Sequence, residues 1–147
     1  MGYLRSTPEK AAELFDGIRD SQAHQPPEEG GWSLRQAISH LRDAQGVLAF
    51  RVNLILDHEN PVLESKAVFE WATIESEHPP VVREIFETYR ASRAQTVARL
   101  ESLPLTDWWR RGRHEEFGEL RLYQQVSYFA CHELTHLPQL ESLARQI

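Results

Sequence analysis

The run Cys131-His132-Glu133-Leu134-Thr135-His136 places two imidazoles four residues apart, in a stretch whose apolar residues recur with helical period. On a helix, residues i and i+4 share a face at about 5–6 Å, close enough to ligate one metal ion. His-Glu-x-x-His is also the spacing of the zinc proteases, where the glutamate serves as general base. In those enzymes the third ligand lies downstream, as a histidine six residues on or an acidic residue further along. Here position 142 is Ser142, and Glu141 is the sole acidic residue after His136, turned toward the outer face. The sequence has no room for the protease arrangement, so the expectation is a metal pair completed from elsewhere.

An upstream ligand is the alternative, and His40 is the best candidate. It lies one turn from Ala37 and Ala44, at the border of an apolar stripe. A half-buried histidine bonded to a neighbouring backbone group or carboxylate would fit the same position. His24, His58, His78 and His114 fall in or near loops and read as solvated; His114 precedes the last helix and could overhang a site there. Glu133 is a candidate catalytic base, but it lies about 100° around the helix from His132 and points toward the core. That direction also suits a bond to His40 or to an arginine of another helix. Arg51, three turns beyond His40 on the same side, suits such a partnership, an anion anchor, or plain packing. Cys131 diverges from its neighbour His132, and nothing nearby marks it as a low-pKa nucleophile.

The elements that must carry these residues are helical. Thr7-Pro8 predicts an N-cap with proline at the first helical position, followed by Ala11, Leu14, Phe15 and Ile18 on one face. Pro26-Pro27 and Gly30-Gly31 predict a loop from His24 to Gly31. Ser33-Leu34-Arg35-Gln36 is a capping box preceded by Trp32 as a hydrophobic staple, and the stripe from Leu34 to Ile55 carries that helix to about Asp57. The stretch from Asn60 to Pro80, with Phe69, Trp71 and Ile74, has no sustained period and reads as a crossover holding at most a short helix. Pro79-Pro80 opens a third helix through Val82, Ile85, Phe86, Tyr89, Arg93, Thr96 and Leu100, ended by Pro104. Trp108-Trp109 and Arg110 to Arg113 read as a linker closed by Gly112 and Gly118. A fourth helix is expected from about Glu119 to Arg145, kinked just after His136 because Pro138 frees the carbonyl of Leu134. Four long helices without β-alternation predict an all-α four-helix bundle with one long crossover between helices two and three.

The 147 residues suffice for one domain, 1–147, with an ordinary globular balance of 41% hydrophobic and 26% charged residues. A net charge of −6 argues against nucleic acid as a partner. No apolar run is long enough for a membrane span, and Met1 to Lys10 has no secretory apolar core. The start Met1-Gly2-Tyr3-Leu4-Arg5-Ser6 fits a loose myristoylation pattern, yet no polybasic patch supplies a second anchor. The lone Cys131 excludes an intrachain disulfide framework and suits a reducing cytoplasm.

Gly31-Trp32-Ser33-Leu34-Arg35-Gln36-Ala37-Ile38-Ser39-His40-Leu41 resembles the "WS…HL" opening of helix two in the DinB/YfiT-like superfamily. The run from Tyr89 through Arg93 to Leu100 is similar to its third helix. His114 to Leu120, followed by His132 to Leu140, is similar to its closing "G…HE..HL.QL" helix. The ordered set spans nearly the whole chain. The resemblance implies an up-down-down-up four-helix bundle, often a homodimer, with a divalent metal held by His40, His132 and His136. Three neutral imidazoles leave positions open for water or a small-molecule substrate, and nickel, zinc, iron and manganese all accept such ligands. It further implies either a metal-dependent hydrolase, or a transferase using a low-molecular-weight thiol, or a non-enzymatic metal-binding or stress-associated dimer.

Overall fold

The computed structural model describes residues 1–65 and 80–147. Four long helices dominate: α1 (Gly2–Phe15), α3 (Leu34–Asp57), α4 (Val82–Glu101) and α5 (Leu122–Arg145), with a single turn α2 (Asp20–Ala23) after α1. A small sheet joins them, formed by β1 (Val62–Leu63), β2 (Arg111–His114) and β3 (Gly118–Arg121); a 3₁₀ turn over Leu105–Trp109 precedes β2. No helix among the described residues is long and apolar enough to cross a membrane. The expected short helix around Phe69, Trp71 and Ile74, like His78 and Pro79, lies outside the described residues.

The α3 start is as the capping box predicts. Ser33 Oγ accepts from the Gln36 backbone N–H at 3.2 Å, and Gln36 Oε1 accepts from the Ser33 N–H at 2.9 Å. Other boundaries depart from expectation for physical reasons. α1 begins at Gly2, so Thr7 and Pro8 lie inside it rather than at its start. Proline lacks the N–H that would bond the carbonyl four residues back. That carbonyl, of Leu4, is taken instead by Arg93 Nη1 at 3.2 Å. α5 begins at Leu122, because Glu119 to Arg121 are spent on a hairpin. It then continues through Pro138 as one helix to Arg145.

The hairpin corrects the reading of Trp108 to Gly118 as a linker. β2 and β3 pair antiparallel from Arg111↔Arg121 to His114↔Gly118, and β1 adds in parallel with Leu63↔His114. Gly118 closes the hairpin at φ +71°, a conformation that favours glycine. The inward positions of β2 are Gly112 and His114, between exposed arginines. A Cβ at Gly112 would stand 3.0 Å from the Leu63 side chain, so glycine is what lets the sheet close over Leu63.

The core is two apolar clusters separated by a polar layer. One holds Ile38, Leu41, Phe86, Tyr89 and Leu140 with Ala11 of α1; the other holds Leu48, Val52, Val97, Val126 and Phe129 with Leu4. The clusters follow in the same order along α3 and α4, and in the reverse order along α1 and α5. α3 and α4 therefore run parallel, and α1 and α5 run against them. Parallel neighbours need a connection that returns along the bundle.

Between the clusters, Arg93 and Glu133 form a doubly hydrogen-bonded pair, each about 2% exposed at the side chain, with Nη1 to Oε2 at 2.6 Å and Nη2 on Oε1. Arg93 Nε donates to Gln45 Oε1 at 2.6 Å, and Gln45 Nε2 donates to Thr96 Oγ1 at 2.9 Å. With the Leu4 carbonyl, this one guanidinium ties all four long helices together. Leaving one partner of a buried ion pair uncompensated costs about 3–5 kcal/mol. Chemical denaturation should therefore show Glu133→Ala destabilised by about that much. The double variant Arg93→Met/Glu133→Leu should recover only part of the loss, since Gln45 Oε1 and the Leu4 carbonyl would stay unpartnered; additive losses in the double variant would count against the pairing.

Candidate metal centre

His40 comes to the site from the second turn of α3, whose start is fixed by the Ser33 cap. His132 and His136 come from successive turns of α5, which packs antiparallel to α3 and is held in register by Glu133. The three rings converge: His40 Nε2 lies 3.0 Å from His132 Nε2, and His136 Nε2 lies 3.2 Å from the same atom. One ligand atom from each residue lies within 4.8 Å of the other two, and these three form the one such cluster of His, Cys, Asp or Glu among the described residues.

The donor chemistry fits a cation. His136 Nδ1 bonds Gln139 Oε1 at 2.8 Å, so Nδ1 carries the proton and Nε2 presents its lone pair to the cluster. Nitrogens about 2.0–2.1 Å from one tetrahedral ion stand roughly 3.3 Å apart. The observed 3.0 and 3.2 Å approach that value. Burial, followed by the neighbouring His136 and His40, pushes His132 down to about 4. Burial also lowers His40, with His136 adding to the effect and Asp43 opposing it. Neutral imidazole is the form that ligates a metal.

Aromatic rings frame the cluster. Trp32, expected only as a staple ahead of α3, stacks on His136 with centroids 6.1 Å apart and planes 6° from parallel, and it lies 5.0 Å from His40. Tyr128 stacks on His132 at 6.3 Å. Glu133, the candidate base, has both oxygens on Arg93 and is absent from the described walls of the adjoining cavity. Cys131 is exposed. The sequence put Arg93 on the buried stripe of its helix and allowed Glu133 an arginine partner from another helix, but it did not join the two or point to Gln45. The available signal was an arginine in register with Tyr89 and Leu100 on an apolar stripe.

His40 and His132 open onto a cavity of about 510 Å³ between α3 and α5. Val47, Phe129 and Tyr128 form its sides, and Arg51 with His114 its other end. His114 is thus buried against Arg51 rather than solvated, because β2 turns it inward.

The shift of His132 has a pH consequence for the metal-free protein. Between pH 6.5 and about 4 the unfolded chain takes up a proton there that the folded chain refuses. Stability should fall as pH drops through that window and flatten below it. Thermal unfolding of chelator-treated protein at pH 7.5, 5.5 and 4.5 should show this fall, and a shallower one in His132→Gln; an equal slope in both would refute the assignment.

Comparison with known proteins identifies the family and the fold. The sequence profile of the DinB superfamily matches residues 3–140. A protein of Oceanobacillus iheyensis named "Putative metal-dependent hydrolase" is 29% identical over 117 residues, 80% of this chain and 67% of its own. One of Geobacillus kaustophilus with the same designation is 28% identical over 144 residues, covering 97% and 81%. Among solved structures, YfiT from Bacillus subtilis, described as a probable metal-dependent hydrolase with an unusual four-helix bundle topology, superposes with a TM-score of 0.82 at 21% identity. That match covers 99% of this chain and 83% of that one. Profile, relatives and bundle agree: the chain belongs to the DinB superfamily.

Proposed function

We propose that the chain binds one divalent transition metal through the Nε2 atoms of His40, His132 and His136 and uses it as a metal-dependent hydrolase acting on a small molecule. The observation that carries this is the convergence of three imidazole nitrogens at 3.0 and 3.2 Å beside a cavity. The relatives named as metal-dependent hydrolases support it. A divalent ion bound there supplies Lewis acidity toward a water, a substrate oxygen or a thiolate. The protein's own part is positional. Gln139 holds the His136 tautomer, Trp32 and Tyr128 stack on the His136 and His132 rings, and burial keeps His132 neutral at physiological pH.

In this reading Glu133 is a positioning residue. Its carboxylate locks α5 to Arg93, and the histidines on either side of it in sequence inherit that register. The cavity's apolar sides suit an organic substrate, and a low-molecular-weight thiol acting at the same centre is the second form of the reaction. Homodimerisation and a cytoplasmic setting belong to the same proposal and rest on the family resemblance and the single unpaired cysteine.

Elemental analysis of as-purified protein tests the centre. Wild type should carry about one nickel, zinc, iron or manganese ion per chain, and His40→Ala and His136→Ala should each lose most of it while keeping the wild-type circular dichroism. A wild type that neither retains nor takes up metal would refute the centre. Hydrolysis of a panel of esters and amides, repeated with added thiols and electrophiles, should depend on both histidines. Turnover that survives in His40→Ala or His136→Ala would place the chemistry elsewhere.

A further inference from the structure

The end of the cavity remote from the histidines holds a guanidinium that has no salt bridge among the described residues, with the Glu116 carboxylate near enough to favour its charge but not paired with it. Arg51 is 6% exposed, and its hydrogen-bond acceptors among the described residues are neutral: Gln125 Oε1 at 3.4 Å from Nη1 and the Glu64 carbonyl at 3.1 Å from Nη2. Glu116, the carboxylate on the cavity wall, forms no ion pair with it among the described residues. A buried charge is costly to leave unpaired, and natural sites place a partner against it.

His114 sharpens the point through its tautomer. Its Nδ1 accepts from the Glu116 backbone N–H at 3.1 Å, which puts the imidazole proton on Nε2. Nε2 lies 3.0 Å from Arg51 Nη2; a guanidinium only donates, so this contact is a hydrogen bond in the opposite tautomer, whereas with the proton on Nε2 two donors face each other. Burial, then the Arg51 charge, pushes His114 down, which disfavours a second proton on its ring. Ser65 Oγ, on the same cavity wall, is buried and has no hydrogen-bond partner. A guanidinium, an imidazole N–H and a free hydroxyl converging on one pocket form a receptor for an oxyanion.

We infer that Arg51, His114 and Ser65 bind the carboxylate or phosphate group of an elongated small-molecule anion whose other end lies at the three histidines. This deepens the proposed function by naming the charge and shape of its substrate, and it rests on that reading only for what happens at the far end. His40 and Arg51 are eleven residues apart on one face of α3, about 16 Å along the axis. The Arg51 side chain leans back toward the helix N-terminus, which leaves a gap on the order of 10 Å. Val47, Phe129 and Tyr128 flank that gap, so the middle of the ligand is apolar.

Calorimetric titration of the as-purified full chain with hexanoate, hexyl phosphate and neutral hexanamide tests this. At least one anion should bind about tenfold or more tighter than hexanamide. Arg51→Gln should erase the preference and Ser65→Ala should reduce it severalfold, while His136→Ala, which disrupts the metal centre, should keep it. The last variant separates the two ideas: an absent metal with a retained anion preference refutes the centre alone. Equal binding of all three probes to wild type would overturn the inference whether or not Arg51→Gln folds. So would a preference that persists in Arg51→Gln and disappears in His136→Ala, since the anion would then sit on the metal. A preference confined to hexyl phosphate or to hexanoate identifies which oxyanion the pocket takes.

Discussion

The bundle depends on one buried guanidinium. Arg93 reaches a carboxylate on α5, an amide on α3 and a backbone carbonyl on α1 from its own place on α4. An apolar layer tolerates small rotations and slips of its helices, because dispersion has little direction. A planar fork with fixed donors does not. The layer it defines divides the core into two clusters and sets the height at which every helix crosses its neighbours.

The histidine cluster inherits its geometry from that layer. Glu133 sits between His132 and the turn that carries His136, so fixing its carboxylate fixes the axial position and rotation of the helix that supplies two rings. The third ring comes from a helix whose start is set by the Ser33 cap and whose middle is held by Gln45. Substitutions at Arg93 or Gln45, which do not line the described cavity, would therefore disturb the three nitrogens as much as changes beside them. The motif's glutamate and its histidines serve one purpose through two different surfaces of the same helix.

The sequence was most readable where physics is local. The Ser33–Gln36 box, the apolar stripe of α3 and the four-residue spacing on α5 depend only on neighbours along the chain, and all three appear as expected. Its place at the border of the α3 stripe offered His40 as the upstream candidate, and the family resemblance joined it to the pair across ninety residues. Where tertiary contacts decide, the reading failed. Pro8 looked like a helix start because its missing N–H is harmless there, and only the distant Arg93 makes it harmless inside α1. The β2–β3 hairpin was invisible because its inward positions are a glycine and a histidine rather than apolar side chains. His114 was read as solvated, or as overhanging a site ahead of the last helix; it lines the cavity, and what buries it is the strand's turn toward Arg51.

Pro8 sets helix propensity and bundle stability against each other. A residue with an N–H at that position would form a better isolated helix, closing the bond to the Leu4 carbonyl. It would also compete with Arg93 for that oxygen and loosen the fork from α1. Improving α1 as a helix would therefore weaken it as a member of the bundle. A change that any propensity scale scores as favourable would be felt at the centre of the molecule, by a side chain eighty-five positions away.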